Sequence, residues 1–145
     1  MSPQLPVRAA SVIGVALVGW SLNVRWGSGS SVRGGPPLPW ERFVVGATAL
    51  AALSMIAVWL ATRRSAGASR AWLRGAACLL AAGAGAVALY LHREADRPAL
   101  ADLVQGPGWA WLTAGALVAL ASAAATFAVR APPPPAAPRG KRRPR

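Results

Sequence analysis

Acidic residues are scarce in this chain of 145 residues, because four Asp and Glu stand against sixteen Lys and Arg, a formal net charge of +12. Charged residues make up 14% of the sequence, well below the level of about 25% in soluble domains. Hydrophobic residues make up 54%. This composition excludes an ordinary soluble enzyme, which needs a dispersed charged surface, and a wholly disordered chain, which needs low hydrophobicity. It indicates a small integral membrane protein.

Cysteine, histidine and lysine are also scarce. Cys78 is the single cysteine, so the chain forms no internal disulfide and has no cysteine-rich metal site. His92 is the single histidine and supplies only one ligand to a metal ion or haem. Lys141 is the single lysine, and the content of Ala, Gly, Pro and Arg is typical of a high-GC, bacterial genome.

Four long apolar segments make up most of the sequence. A helix needs roughly 20 apolar residues to cross a hydrocarbon layer about 30 Å thick, and a helix satisfies its own backbone hydrogen bonds within lipid. None of the segments alternates as a strand would. We therefore predict an all-α membrane protein in which residues 1–130 form an antiparallel bundle of four transmembrane helices. The predicted spans are residues 9–24, 43–62, 71–91 and 108–129.

The first span is the shortest and lies between Arg8 and Arg25, so it would need snorkelling arginines or local thinning of the bilayer. A basic residue followed by an apolar stretch is also typical of a secretory signal. No small-x-small cleavage site follows, however, since the chain continues Ser21-Leu22-Asn23-Val24. We therefore expect an uncleaved first span.

Arginine is concentrated on one side of the predicted bundle. The connection between the second and third spans contains no acidic residue, and neither does the C-terminal tail. The connection between the third and fourth spans instead mixes basic and acidic residues. Because cytoplasmic loops of membrane proteins are enriched in Lys and Arg, we expect a multi-pass protein of the plasma (inner) membrane with both termini in the cytoplasm. Tryptophans such as Trp59 and Trp72 lie close to predicted span ends, where indole rings favour the headgroup zone.

Small residues recur every four positions in the third and fourth spans. In lipid, close approach of small residues brings helices together more effectively than apolar burial does. The pattern predicts that these two spans pack tightly, within one chain rather than between two copies. The alternative is that so alanine-rich a chain contains such pairs by chance. The predicted helix-packing residues are Ala77, Ala81, Gly85, Gly115, Ala119 and Ala123.

Ionisable side chains are missing from the interior of the predicted spans. Ion-coupled transporters keep such groups at membrane depth despite an insertion cost of about 2.5–3.5 kcal/mol each. Small four-span drug exporters are of similar size but rely on an acidic residue in the first span, and this chain has none there. The sequence therefore argues against a proton-driven pump that acts as a monomer.

Candidate chemistry is limited to one polar cluster beyond the third span. His92, Glu94 and Asp96 could form a weak outer metal site, but we interpret them as a solvated group where the chain leaves the membrane. Cys78 has no base or orienting partner near it in sequence and is expected to be a small apolar residue. We therefore predict no catalytic, cofactor or metal site and no enzymatic activity.

The C-terminal tail, residues 131–145, contains four successive prolines that favour an extended polyproline helix. We predict a disordered cytoplasmic tail whose basic residues contact the anionic inner leaflet, where each charge contributes about 1 kcal/mol. Nucleic acid is a less favoured partner, because no aromatic residue follows Phe127 to stack on bases. The predicted lipid-contacting residues are Arg139, Lys141, Arg142, Arg143 and Arg145.

Together these patterns favour a non-catalytic accessory or scaffolding protein whose helices pack against a larger membrane partner or against another copy of the chain. One alternative is a subunit of a small transporter or channel, with a polar path built from Ser and Thr side chains. A second alternative is an enzyme that uses the cluster at His92, Glu94 and Asp96.

Overall fold

The structure is a computed structural model that describes residues 4–26, 30–31, 41–64, 67–94 and 107–129. This part of the chain is helical apart from one pair of two-residue antiparallel strands, β1 (Arg25–Trp26) and β2 (Ser30–Ser31). The prediction of an all-α fold with four helices is confirmed. The predicted tail, residues 131–145, lies outside the described residues. The helices are α1 (Gln4–Ser21), α2 (Glu41–Arg63), α3 (Ala68–Glu94) and α4 (Pro107–Ala128).

Proline and glycine mark helix starts. Pro6 lies in the first turn of α1 and Pro107 is the first residue of α4, positions where the missing backbone N–H costs no helical hydrogen bond. Gly67 precedes α3, and its carbonyl oxygen accepts hydrogen bonds from the backbone nitrogens of Arg70 and Ala71. The predicted first span is displaced, because α1 begins at Gln4 and ends at Ser21.

Three of the helices are long and apolar enough to cross a membrane: Arg42–Arg63, Ala68–Arg93 and Pro107–Ala128. These three helices indicate a membrane protein. The first helix has 18 residues and includes Gln4 and Arg8 in its first two turns, and it is not one of the three.

Contacts between side chains show that consecutive helices run antiparallel. Thr62 near the end of α2 accepts a hydrogen bond from Arg8 near the start of α1. His92 at the end of α3 lies against Trp109 at the start of α4. The first helix also lies against α4, where Gly14 approaches the backbone of Ala119. The described helices therefore form an up-down-up-down bundle in which α1 closes the structure against α4.

Small residues fill the centre of this bundle, and large apolar residues lie on its outside. Leu91 and Leu112 are the largest fully buried side chains, and most other buried apolar residues are alanine or valine. Trp72 is 80% exposed and Leu79 is 76% exposed. Soluble proteins bury their large apolar residues, whereas helices in lipid expose them and bring small residues together.

Candidate functional site

The backbones of α1 and α4 approach each other closely at two glycines. A Cβ atom placed on Gly14 would lie 2.8 Å from the backbone nitrogen of Ala119. A Cβ atom placed on Gly115 would lie 2.6 Å from both the backbone nitrogen and Cγ2 of Val18. Only glycine fits at these two positions unless the helices move apart, so the pair sets the spacing of α1 and α4.

The predicted helix-packing residues occupy three environments. Ala77, Ala81, Ala119 and Ala123 are buried in one apolar cluster, which also contains residues of α1 and α2. Gly115 instead faces α1. Gly85 is half-buried, and a Cβ atom there would meet nothing within 4 Å. The role of these residues in packing stays a prediction.

The Gly14 contact was missed by the sequence analysis, which considered only stripes of small residues in the later spans. The available signal was periodicity, because the buried residues of α1 recur at spacings of three and four. They are Val7, Ser11, Gly14, Val18 and Ser21. A glycine in such a stripe is typical of close helix packing in lipid.

Buried hydroxyl groups in the helices donate to backbone carbonyl oxygens. Ser54 Oγ of α2 donates to the carbonyl oxygen of Ala77 in α3 at 2.9 Å, which links two helices. The other buried hydroxyls donate within their own helix, as Ser122 does to the carbonyl oxygen of Ala119. The same intrahelical pattern holds for Ser11, Ser21, Thr62 and Thr126.

One end of the bundle carries five arginines, which we call the arginine end: Arg8, Arg63, Arg64, Arg70 and Arg74. They lie near the start of α1, the end of α2 and the start of α3. Glutamates occur in the described part of the chain only as the first residue of α2 and the last residue of α3, both at the opposite end. The arginine end therefore has no carboxylate among the described residues.

Two of these arginines close the end of α4. Arg70 and Arg74 each donate a hydrogen bond from Nη2 to the carbonyl oxygen of Val129, at 2.8 Å and 2.9 Å. Cations at a helix C-terminus are favourable because the last carbonyls are unpaired and carry partial negative charge. Arg70 is 4% exposed, and the Nε atoms of both arginines are buried without a hydrogen-bond partner.

Two other arginines lie close to the ring of Trp59 in α2. The guanidinium carbon of Arg8 lies 5.2 Å from the centre of the Trp59 ring, and that of Arg63 lies 5.0 Å from it. Both distances fall within the range of cation–π attraction. Arg8 is held further by hydrogen bonds from Nε to Thr62 Oγ1 at 2.9 Å and from Nη2 to Gln4 Oε1 at 3.3 Å.

The opposite end carries His92, the one member of the predicted outer cluster whose side chain is described. His92 is exposed, and its ring centre lies 5.1 Å from that of Trp109. An apolar groove of about 140 Å³ between α3 and α4 begins at this pair. The side chain of Glu94 and the whole of Asp96 lie outside the described residues. No three His, Cys, Asp or Glu side chains in the described ranges come together to hold a metal ion.

Two further predictions can be placed only in part. Cys78 is half-buried in α3 and packs against the cluster that contains Ala77 and Ala81. The predicted lipid-contacting residues of the tail lie outside the described residues: Arg139, Lys141, Arg142, Arg143 and Arg145.

These features define a class, namely helical membrane proteins with a core of small residues and an outer surface of large apolar side chains. Comparisons with protein families, with curated proteins and with solved structures found no match to this chain.

Proposed function

We propose that this chain is a four-span accessory or scaffolding protein of the plasma membrane, which packs against a larger membrane partner or another copy of itself. The observation that carries the proposal is the outward-facing apolar surface around a core whose buried hydroxyls are bonded to backbone carbonyls. Such a molecule offers helix faces to other helices and to lipid.

We propose that α1 crosses the membrane together with α2, α3 and α4, because it packs against α2 and α4 as a member of the bundle. Gly14 and Gly115 fix it against α4 along its middle, and Arg8 bonds to Thr62 at the end of α2. A helix of 18 residues has a length of about 27 Å, slightly less than the hydrocarbon thickness. The long side chain of Arg8 can reach the headgroup layer from its first turns.

The arginine end is proposed to face the cytoplasm. It gathers arginines from three helices without a described carboxylate, which is the bias of cytoplasmic loops. With four spans, both termini are then cytoplasmic, and the basic tail lies beside the same leaflet. The positions of Trp59 and Trp72 near this end agree with a headgroup zone at that level.

The transporter alternative requires a polar path through the bundle. The buried hydroxyls favour the accessory role, because each one donates a hydrogen bond to a backbone carbonyl oxygen of the described helices. A flux assay with purified protein in liposomes separates the two roles. Substrate-dependent flux by the protein alone would overturn the accessory role.

Topology is tested with reporters at three positions: before Met1, near Gly29 and after Arg145. Four spans require the two terminal reporters to agree and the reporter near Gly29 to give the opposite signal. If α1 does not cross, the reporters before Met1 and near Gly29 will agree instead. Purification in mild detergent, followed by identification of co-purifying membrane proteins and by measurement of oligomeric mass, then tests the accessory role. A monomer that retains no partner would contradict it.

A further inference from the structure

A groove runs along the outside of the bundle between α1 and α2. It has a volume of about 290 Å³ and is lined by Val12, Met55, Ile56, Trp59, Leu60 and Arg63. Most of this lining is apolar, and several of these side chains are among the exposed large apolar residues. Its walls therefore suit a hydrocarbon chain, and its one charged member lies at the arginine end.

The charged end of the groove carries two positive charges. The guanidinium carbons of Arg63 and Arg8 lie 5.0 Å and 5.2 Å from the centre of the Trp59 ring. Arg8 uses only part of its donor set on Thr62 and Gln4, and the side chain of Arg63 makes no hydrogen bond to another described residue. A guanidinium carries five N–H donors, so donors remain available on both arginines. No described carboxylate neutralises these charges.

We propose that this groove binds one phospholipid with an anionic headgroup, its phosphate in contact with Arg8 and Arg63 and one acyl chain along the groove. Guanidinium groups bind phosphate through short, charge-assisted hydrogen bonds. Two cations without a carboxylate favour a headgroup of net negative charge, because the cationic ammonium group of a zwitterionic headgroup is repelled. The inference rests on the proposed membrane insertion of α1 and α2, since it needs the arginines at headgroup depth.

Native mass spectrometry of the full chain in mild detergent tests the site. Phosphatidylglycerol and phosphatidylcholine with identical acyl chains are added at equal concentration, and retained lipid is counted. We expect the protein to retain one phosphatidylglycerol in preference to phosphatidylcholine. In the double variant Arg8→Gln/Arg63→Gln, retention should fall roughly thirtyfold, as expected for two lost charges at a membrane surface. Equal retention of both lipids by the unaltered protein would overturn the proposal.

The matched control is Arg64→Gln/Arg93→Gln, which removes the same amount of charge. Arg64 lies at the arginine end and Arg93 at the opposite end, and neither contacts Trp59 in the structure. The control variant should retain phosphatidylglycerol as the unaltered protein does. An equal loss in both double variants would show a general charge effect and would overturn the site.

Two further arms separate a lipid from free phosphate and guard against misfolding. Ile56→Trp fills the groove without changing either arginine, so it should abolish lipid retention. Ile13→Trp changes an exposed residue of α1 that does not line the groove, so it should not. Inorganic phosphate at millimolar concentration should not displace the lipid. Displacement by phosphate, or retention unchanged in Ile56→Trp, would overturn the acyl-chain site. Because these measurements use detergent, a failed topology test would refute the proposed four spans without deciding the lipid result.

Discussion

Gly14 of α1 and Ala119 of α4 lie in direct backbone contact, with no room for a Cβ atom on the glycine. The neighbouring contact, between Gly115 and Val18, is similarly tight, and here the glycine belongs to α4 and its neighbour to α1. Because lipid solvates apolar side chains well, such close contacts hold membrane helices together through dispersion forces. This contact therefore couples α1, which is not one of the three helices long and apolar enough to cross a membrane, to α4, which is one of them.

Gly115→Ala should destabilise the bundle. The added methyl group would lie 2.6 Å from the backbone of Val18, and overpacking of this kind costs about 1–3 kcal/mol. The change in the free energy of unfolding is measured by denaturation in sodium dodecyl sulfate, with tryptophan fluorescence as the signal. Gly85→Ala is the matched control, since it has open space and should be neutral or gain up to about 1 kcal/mol from helix propensity. Equal effects of the two substitutions would contradict this contact.

Ser54→Ala should weaken the contact between α2 and α3. It removes the hydrogen bond from Ser54 Oγ to the carbonyl oxygen of Ala77, and such interhelical bonds contribute about 0.6 kcal/mol on average in membranes. Ser122→Ala is the comparison, because its bond lies within α4 and its loss leaves helix contacts unchanged. The same unfolding assay should show a larger loss for Ser54→Ala. The reverse order would refute the assigned role.

Arg70→Gln and Arg74→Gln should show strong coupling. Each single variant leaves the other arginine bonded to the carbonyl oxygen of Val129, whereas the double variant removes both bonds. Residues that share a partner show interaction energies of about 0.5–3 kcal/mol. We expect the double variant to lose more stability than the sum of the single losses, with faster hydrogen exchange in the last turn of α4. If the stability losses are additive and hydrogen exchange in α4 is unchanged, the two arginines do not stabilise the end of α4 jointly.

The single cysteine should be shielded from reagents that do not cross membranes. Cys78 is half-buried within a helix able to span the bilayer, so surrounding lipid would keep a water-soluble reagent away from its thiol. A membrane-impermeant maleimide should label it only after denaturation in detergent. The control Cys78→Ala/Ser69→Cys places a thiol at an exposed position at the start of α3 and should react in inside-out vesicles. Rapid labelling of Cys78 in intact vesicles of both orientations would contradict a lipid-embedded α3.

The sequence by itself determined the four helices and their apolar character, because hydropathy and segment length are local properties of the chain. It located α2, α3 and α4 to within a few residues, and it identified the helix ends that are rich in arginine. The start of α1 was less well predicted, since Gln4, Pro6 and Arg8 lower the local hydropathy although they lie within the helix.

Only the tertiary structure decided which helix faces meet. The pairing of Gly14 with Ala119, the bonds of Arg70 and Arg74 to Val129, and the groove beside Trp59 each join residues far apart in the chain. In an alanine-rich sequence many faces look alike, so periodicity does not select among them. Which small residues touch depends on the rotation and spacing of whole helices, and those are set by all their contacts together.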